Sequence, residues 1–192
     1  GTGKTLGFGI PVLEDVIAPD EEGYEDLLNP NKPQALIILP TRELTKQVAQ
    51  DLREAAKYLS TRIVEIYGGV AFEPQIEALE RGADIVVGTP GRLIDLLRKG
   101  HLHLSGVETV VLDEADEMLD LGFLPDVETL LSRVPENRHT MLFSATMPGP
   151  VVALARRFMV QPTHIRAQDP DDQNQTVNTV KQVIYRVHAM NK

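Results

Sequence analysis

Short apolar runs alternate along this chain with longer stretches in which apolar residues recur every three or four positions. Residues 35–39, 63–67, 85–87, 110–112, 141–143 and 163–166 are the candidate strands. The first of them, Ala-Leu-Ile-Ile-Leu, has the uniform apolar character of a strand buried on both faces. Helical spacing marks 5–16, where Leu6, Ile10, Leu13 and Ile17 line up, and then 42–58, 72–81, 92–99, 123–133 and 148–159. Gly7, Gly9 and Pro11 lower the helix propensity of the first of these. Strands and helices in alternation predict an α/β fold, an open parallel β-sheet with helices on both faces. Ligands of such a sheet gather outside the C-terminal ends of its strands.

Two segments interrupt the alternation. Residues 18–33, rich in Asp, Glu, Asn and Pro, read as a mobile, solvated surface loop without chemistry of its own. Residues 168–178 are polar and nearly free of apolar side chains, as a linker would be, and 180–187 then alternates like a new strand. The expected organisation is a first domain over 1–167, a linker over 168–179 and the start of a second domain over 180–192. A length of 192 residues suits one domain with a core of its own.

Composition narrows the function classes. No apolar stretch approaches the roughly 20 residues that span a bilayer, so no membrane partner is expected. With no cysteine there are no disulfides or thiolate metal sites, which fits a cytoplasmic protein. His101 and His103 flank Leu102 without a third ligand nearby and read as one side of a short extended segment rather than a metal site. A net charge of −9 and a pI near 5.0 do not suggest a polyanion partner, although much of the acid is local, in Asp20-Glu21-Glu22 and Glu25-Asp26.

The chemistry lies at two places. Gly1-Thr2-Gly3-Lys4-Thr5 is a glycine-rich turn leading into a helix. There backbone N–H groups, the Lys4 ammonium and the Thr5 hydroxyl could hold the phosphates of ATP and a Mg²⁺ ion. Asp113-Glu114-Ala115-Asp116 follows the apolar run 110–112. Asp113 would orient hydrated Mg²⁺ and Glu114 would polarise a water for in-line attack on the γ-phosphate. Taken alone, the first motif could be an ordinary loop before a helix and the second a helix N-cap.

Six motifs stand in one order: the turn at 1–5, Pro40-Thr41-Arg42-Glu43-Leu44, Gly68-Gly69, Thr89-Pro90-Gly91-Arg92, the acidic box at 113–116, and Ser144-Ala145-Thr146. In that order and spacing the chain resembles the first RecA-like domain of a DEAD-box ATP-dependent RNA helicase. The resemblance implies that Asp116 contacts Ser144 and Thr146, coupling hydrolysis to the RNA-bound state. It also implies that Pro40, Thr41, Arg42, Gly69, Thr89, Gly91 and Arg92 grip the sugar-phosphate backbone of single-stranded RNA without reading its bases. On local chemistry Thr41 is a plain N-cap, Gly68-Gly69 a turn and Thr89-Pro90 a helix start.

The resemblance further implies an adenine-reading segment and an interior first strand upstream of Gly1, and a downstream second RecA-like domain that brings arginines to the γ-phosphate. The segment alone would then be nearly inactive. Met118, Leu119, Leu121 and Phe123 read as a core helix and its following turn rather than a base-stacking platform. Two other readings stay open at this point, an RNA clamp acting mainly by binding and a related DNA helicase or translocase.

Overall fold

The computed structural model describes residues 3–27 and 29–166. Gly1, Thr2, the expected linker at 168–179 and the expected strand at 180–187 lie outside the described residues. The chain divides after Val160. The larger unit holds five strands, β1 (Ala35–Ile38), β2 (Ile63–Ile66), β3 (Ile85–Gly88), β4 (Thr109–Leu112) and β5 (His139–Leu142). Around them lie α1 (Gly3–Asp15), α2 (Arg42–Ala55), α3 (Glu73–Glu80), α4 (Pro90–Arg98), α5 (Ala115–Asp120), α6 (Leu124–Leu131) and α7 (Gly149–Phe158).

All four strand pairings are parallel, in the order β2-β3-β1-β4-β5. Alternate side chains feed two cores. Ile37, Val87 and Val111 pack with Phe8 and Val12 of α1 and Val48 and Leu52 of α2. Leu36, Val86 and Val110 pack on the opposite face with Leu93 of α4, Val127 of α6 and Leu154 of α7. A strand covered on both faces has no polar side, which is why these runs lack a two-residue alternation. β1 and β4 pair directly over their whole length. Among the described strands β5 has a neighbour on one side only and is correspondingly more exposed.

Tertiary packing overrides the poor helix propensity of α1. Gly9 is what allows α1 to lie so close to α2, because a Cβ there would stand 2.8 Å from Leu52 Cδ2. Phe8 meets the Phe143 ring at 5.5 Å between centroids. Met118 is fully buried and Phe123 packs against the core, whereas Leu121 is exposed.

Two expectations require correction. Residues 163–166 form no strand; they follow Pro162, and a lone aliphatic residue, Ile165, gives no face to bury. The 18–33 segment is not a free solvated loop. Tyr24 is buried, its hydroxyl donates to Asn31 Oδ1 at 3.1 Å, and Gln34 brackets the backbone of Ile17 through both its amide groups. Behind Tyr24, Arg62 donates to the fully buried Asp84 from Nε at 3.0 Å and Nη2 at 2.7 Å, and the Arg62 backbone N–H adds a bond at 2.7 Å.

Removing one partner of such a buried pair leaves an uncompensated charge. Arg62→Ala should therefore destabilise the domain by about 3 kcal/mol. A urea titration checks this: a midpoint unchanged from the parent would show that Asp84 is satisfied without Arg62.

Candidate functional site

The register brings the last residues of all five strands into one row, Ile66, Gly88, Ile38, Leu112 and Leu142. Every motif singled out in the sequence beyond the first turn begins within three residues of that row. β1 is the point at which the chain's course reverses, since β2 and β3 lie to one side of it and β4 and β5 to the other. Loops following β2, β3 and β1 share one half of the edge; those following β4 and β5 share the other half with the start of α1.

On the second half Asp113 is buried, with its Oδ1 2.9 Å from Lys4 Nζ and 2.9 Å from the Glu114 N–H that donates to it. The same ammonium lies 3.6 Å from Glu114 Oε1. Burial pushes the Asp113 carboxyl above its usual range, and Lys4 opposes this only in part. Burial alone would lower the Lys4 ammonium, yet its bonds to Asp113 and Glu114 outweigh that and hold it above its ordinary value. Glu114 has left-handed backbone angles, φ 55° and ψ 50°, uncommon for a residue with a Cβ and costing roughly 1–2 kcal/mol. This turn lets a strand pass straight into α5, and the bonds from Glu114 N–H to Asp113 and from Ala115 N–H to Phe143 O at 3.1 Å hold it. Nothing in the sequence signalled the conformation.

A divalent ion fits this donor set. Asp113 already holds a cation, the Lys4 ammonium, and Thr5 is buried one residue further along α1. Among the described residues no three His, Cys, Asp or Glu side chains could hold a metal by themselves. Mg²⁺ keeps waters and takes one or two protein ligands together with substrate phosphates, and Asp113 and Thr5 could supply such ligands.

Asp116 ties α5 to the loop after β5. Its N–H donates to Ser144 Oγ at 3.0 Å, and its Oδ2 accepts from Thr146 N–H at 2.9 Å and Thr146 Oγ at 2.8 Å. A cavity of about 210 Å³ beside it is lined by Lys4, Glu114, Ser144 and Ala145, and also by Glu117 and Asp120. Sequence reasoning missed these last two acids, whose signal was their place on the helix after the box. A hydrogen bond with Glu114 raises the Glu117 carboxyl above its usual range.

The other half of the edge is less uniform. Pro40 is buried, and Thr41 caps α2 by accepting from Leu44 N–H at 3.3 Å, leaving Arg42 exposed. Gly69 has φ +78°, a conformation in which a side chain would be strained. Thr89 precedes Pro90 at the start of α4 without capping it, and Gly91 is exposed. Arg92 differs from the sequence reading. It is 7% exposed, donates to Val70 O at 2.8 Å and Ala71 O at 3.5 Å, and stacks 3.9 Å over the Phe72 ring. Bound in this way, its guanidinium braces the 68–72 loop. His101 and His103 join no metal cluster among the described residues.

The sequence model of the DEAD/DEAH box helicase family matches residues 1–154, four-fifths of the chain. The chain belongs to the DEAD/DEAH box helicase family. It is 43% identical over 194 residues to the DEAD-box ATP-dependent RNA helicase CshA of Bacillus licheniformis, a match covering all of this chain and 37% of that protein. To CshA of Streptococcus pneumoniae it is 47% identical over 166 residues, 86% of this chain and 30% of that one. The chain thus spans between 30% and 38% of the length of these curated relatives. Among solved structures, a DEAD box protein from the hyperthermophile Methanococcus jannaschii superposes with TM-score 0.71 at 42% identity, over 84% of this chain and 41% of that one. The yeast DEAD-box splicing factor Prp28 gives 0.75 at 38% identity, over 83% and 38%. The parallel sheet is the RecA-like fold of this DEAD-box family.

Asp116 supplies a pH test of the geometry. Its partial burial would raise it, but the Thr146 hydroxyl and amide and the Ser144 hydroxyl outweigh that and hold it below the usual carboxylate range. A depressed folded value means the contact contributes fully above the unfolded value, about 4, and is lost as pH falls through the folded one. NMR titration of the Asp116 carboxyl should give a midpoint below about 4, with the Thr146 amide moving in step. A midpoint above that value would contradict the three-bond arrangement.

Proposed function

We propose that this chain is the nucleotide-binding domain of an ATP-dependent RNA helicase, which binds ATP with Mg²⁺, grips single-stranded RNA by its backbone and couples hydrolysis to local duplex unwinding or RNP remodelling. The observation that carries the reading is the buried Asp113, paired with Lys4 at the end of a core strand, with Glu114 turned out beside it. A carboxylate buried that deeply needs a cation, and the Lys4 ammonium is one that can be exchanged.

On nucleotide binding, Lys4 gives up Asp113 for the β- and γ-phosphate oxygens, helped by the N–H groups of Gly1, Thr2 and Gly3. Mg²⁺, when bound, neutralises phosphate charge and aligns the phosphates. Thr5 and Asp113 are the residues to hold it. Glu114 accepts a proton from a water aligned with the γ-phosphate, so that the water oxygen bonds to phosphorus as the bond to ADP breaks. Asp116, Ser144 and Thr146 make the loop after β5 respond to changes at the acidic box. Pro40, Thr41, Arg42, Gly69, Thr89 and Gly91 provide backbone contacts to RNA, and Arg92 acts by holding the 68–72 loop in shape. Contacts of this kind carry no base information, so binding is independent of sequence.

The proposed organisation is a first domain over 1–167, a linker over 168–179 and a second RecA-like domain beginning at 180, which brings arginines to the γ-phosphate. Such arginines are commonly worth about 10³ or more in rate, so this domain alone would turn over little ATP. Absence of cysteine suits a cytoplasmic setting. No described helix is long and apolar enough to cross a membrane.

In the full-length protein, Glu114→Gln should keep ATP and RNA binding while lowering kcat about 100-fold or more, because the amide keeps the shape and loses the base. Lys4→Ala should instead weaken binding of a fluorescent ATP analogue. Near-normal kcat in the first variant, or parental affinity in the second, would overturn the assignment. Stimulation of hydrolysis by DNA as strong as by RNA would redirect it to a DNA translocase.

A further inference from the structure

Arg42 and Lys46 stand one turn apart on α2, so two like charges share a face and repel. Both are exposed, and neither forms a salt bridge among the described residues. What they share is an aromatic ring. The Arg42 guanidinium carbon lies 5.2 Å and Lys46 Nζ 5.6 Å from the centroid of Tyr67, distances at which the ring quadrupole attracts a cation. Tyr67 is itself fixed from behind, since its carbonyl accepts from Gln75 Nε2 at 2.9 Å and Gln75 is buried in α3. The next two residues are Gly68 and Gly69, and Arg42 Nη1 lies 3.9 Å from the place a Cβ on Gly69 would occupy.

We propose that Lys46 is a further contact to the phosphodiester backbone of single-stranded RNA beside Arg42, and that Tyr67 is the positioning residue that holds the two cations together. The inference rests on the RNA-binding reading of the same edge. Two cations gathered without a carboxylate, in a chain of net charge −9, reverse the sign of the surface locally. Their gathering is stable only while something offsets their repulsion: the ring in the free protein and an anion in the complex. A phosphodiester is the anion that the neighbouring Gly68-Gly69 turn, with no side chains in the way, leaves room to approach. Lys46 lies outside the six motifs, and from sequence alone it is one more polar residue on a helix surface. Tyr67 contributes its face to the cations rather than to a base, in keeping with recognition of the backbone alone.

The test uses the full-length protein and labelled single-stranded RNAs of unrelated sequence, with affinity measured by fluorescence anisotropy across a series of salt concentrations. Lys46→Gln should weaken every RNA about threefold to tenfold near physiological salt and reduce the slope of log affinity against log salt by about 0.7, the loss of one phosphate contact. Tyr67→Leu, which keeps bulk but not the ring face, should reduce affinity and slope at least as much by letting both cations disperse. Tyr67→Phe should restore both. A parental slope in Lys46→Gln, an exposed position whose replacement does not threaten folding, would overturn the inference, as would a Tyr67→Phe variant as weak as Tyr67→Leu. If the parent bound no RNA, the functional reading would fall as well; if it bound normally and the Lys46 variant matched it, this inference alone would fall.

Discussion

Everything at the functional edge depends on the parallel register of the sheet. Because four pairings run residue against residue, Ile66, Gly88, Ile38, Leu112 and Leu142 end their strands together. Loops separated by up to a hundred positions in sequence therefore emerge side by side. The hydrophobic effect enforces this alignment, since slipping one strand by a residue would exchange its two faces between two differently shaped cores. The order β2-β3-β1-β4-β5 then sorts the loops. Lys4 and the acidic box fall on the β4-β5 half, and Arg42 with the glycine-containing turns on the other, so the proposed nucleotide and RNA would not compete for the same groups.

Within that frame the Lys4–Asp113 pair is the electrostatic centre. A carboxylate with 3% exposure must have a counter-charge or a proton, and here it has a lysine with a flexible stem. Such a pair has little to gain from staying together once a phosphate competes for the ammonium and a metal for the carboxylate. The left-handed turn at Glu114 contributes to the same state: it sets a second carboxylate 3.6 Å from Lys4 while the peptide group between the two acids is held by Asp113 itself.

Much of this was legible in the sequence, for a definable reason. Runs buried on both faces, such as 35–39 and 110–112, have no alternative structure in a chain this polar, and the helices between them carry clear periodicity. The contacts of Asp116 with Ser144 and Thr146, implied by the resemblance, are present, and Lys4 stands beside Asp113. What escaped was whatever depends on contacts between distant positions. Segment 18–33 has a disordered composition, yet Tyr24 is buried and its hydroxyl accepts from Arg62, which the buried Asp84 in turn holds; composition cannot reveal such contacts. Arg92 looked free because its position after Thr89-Pro90-Gly91 is known from sequence, whereas its carbonyl partners on Val70 and Ala71 are known only from the fold.

On the proposed reading, Asp113 exchanges the Lys4 ammonium for a metal ion when nucleotide arrives. The direct measurement is a crystal structure of the full-length protein with Mg²⁺ and a non-hydrolysable ATP analogue. In it Lys4 Nζ should have left Asp113 and stand within about 3 Å of a phosphate oxygen, with Asp113 facing the metal or its waters. Nucleotide bound with the Lys4–Asp113 pair still intact at its present 2.9 Å would contradict that reading.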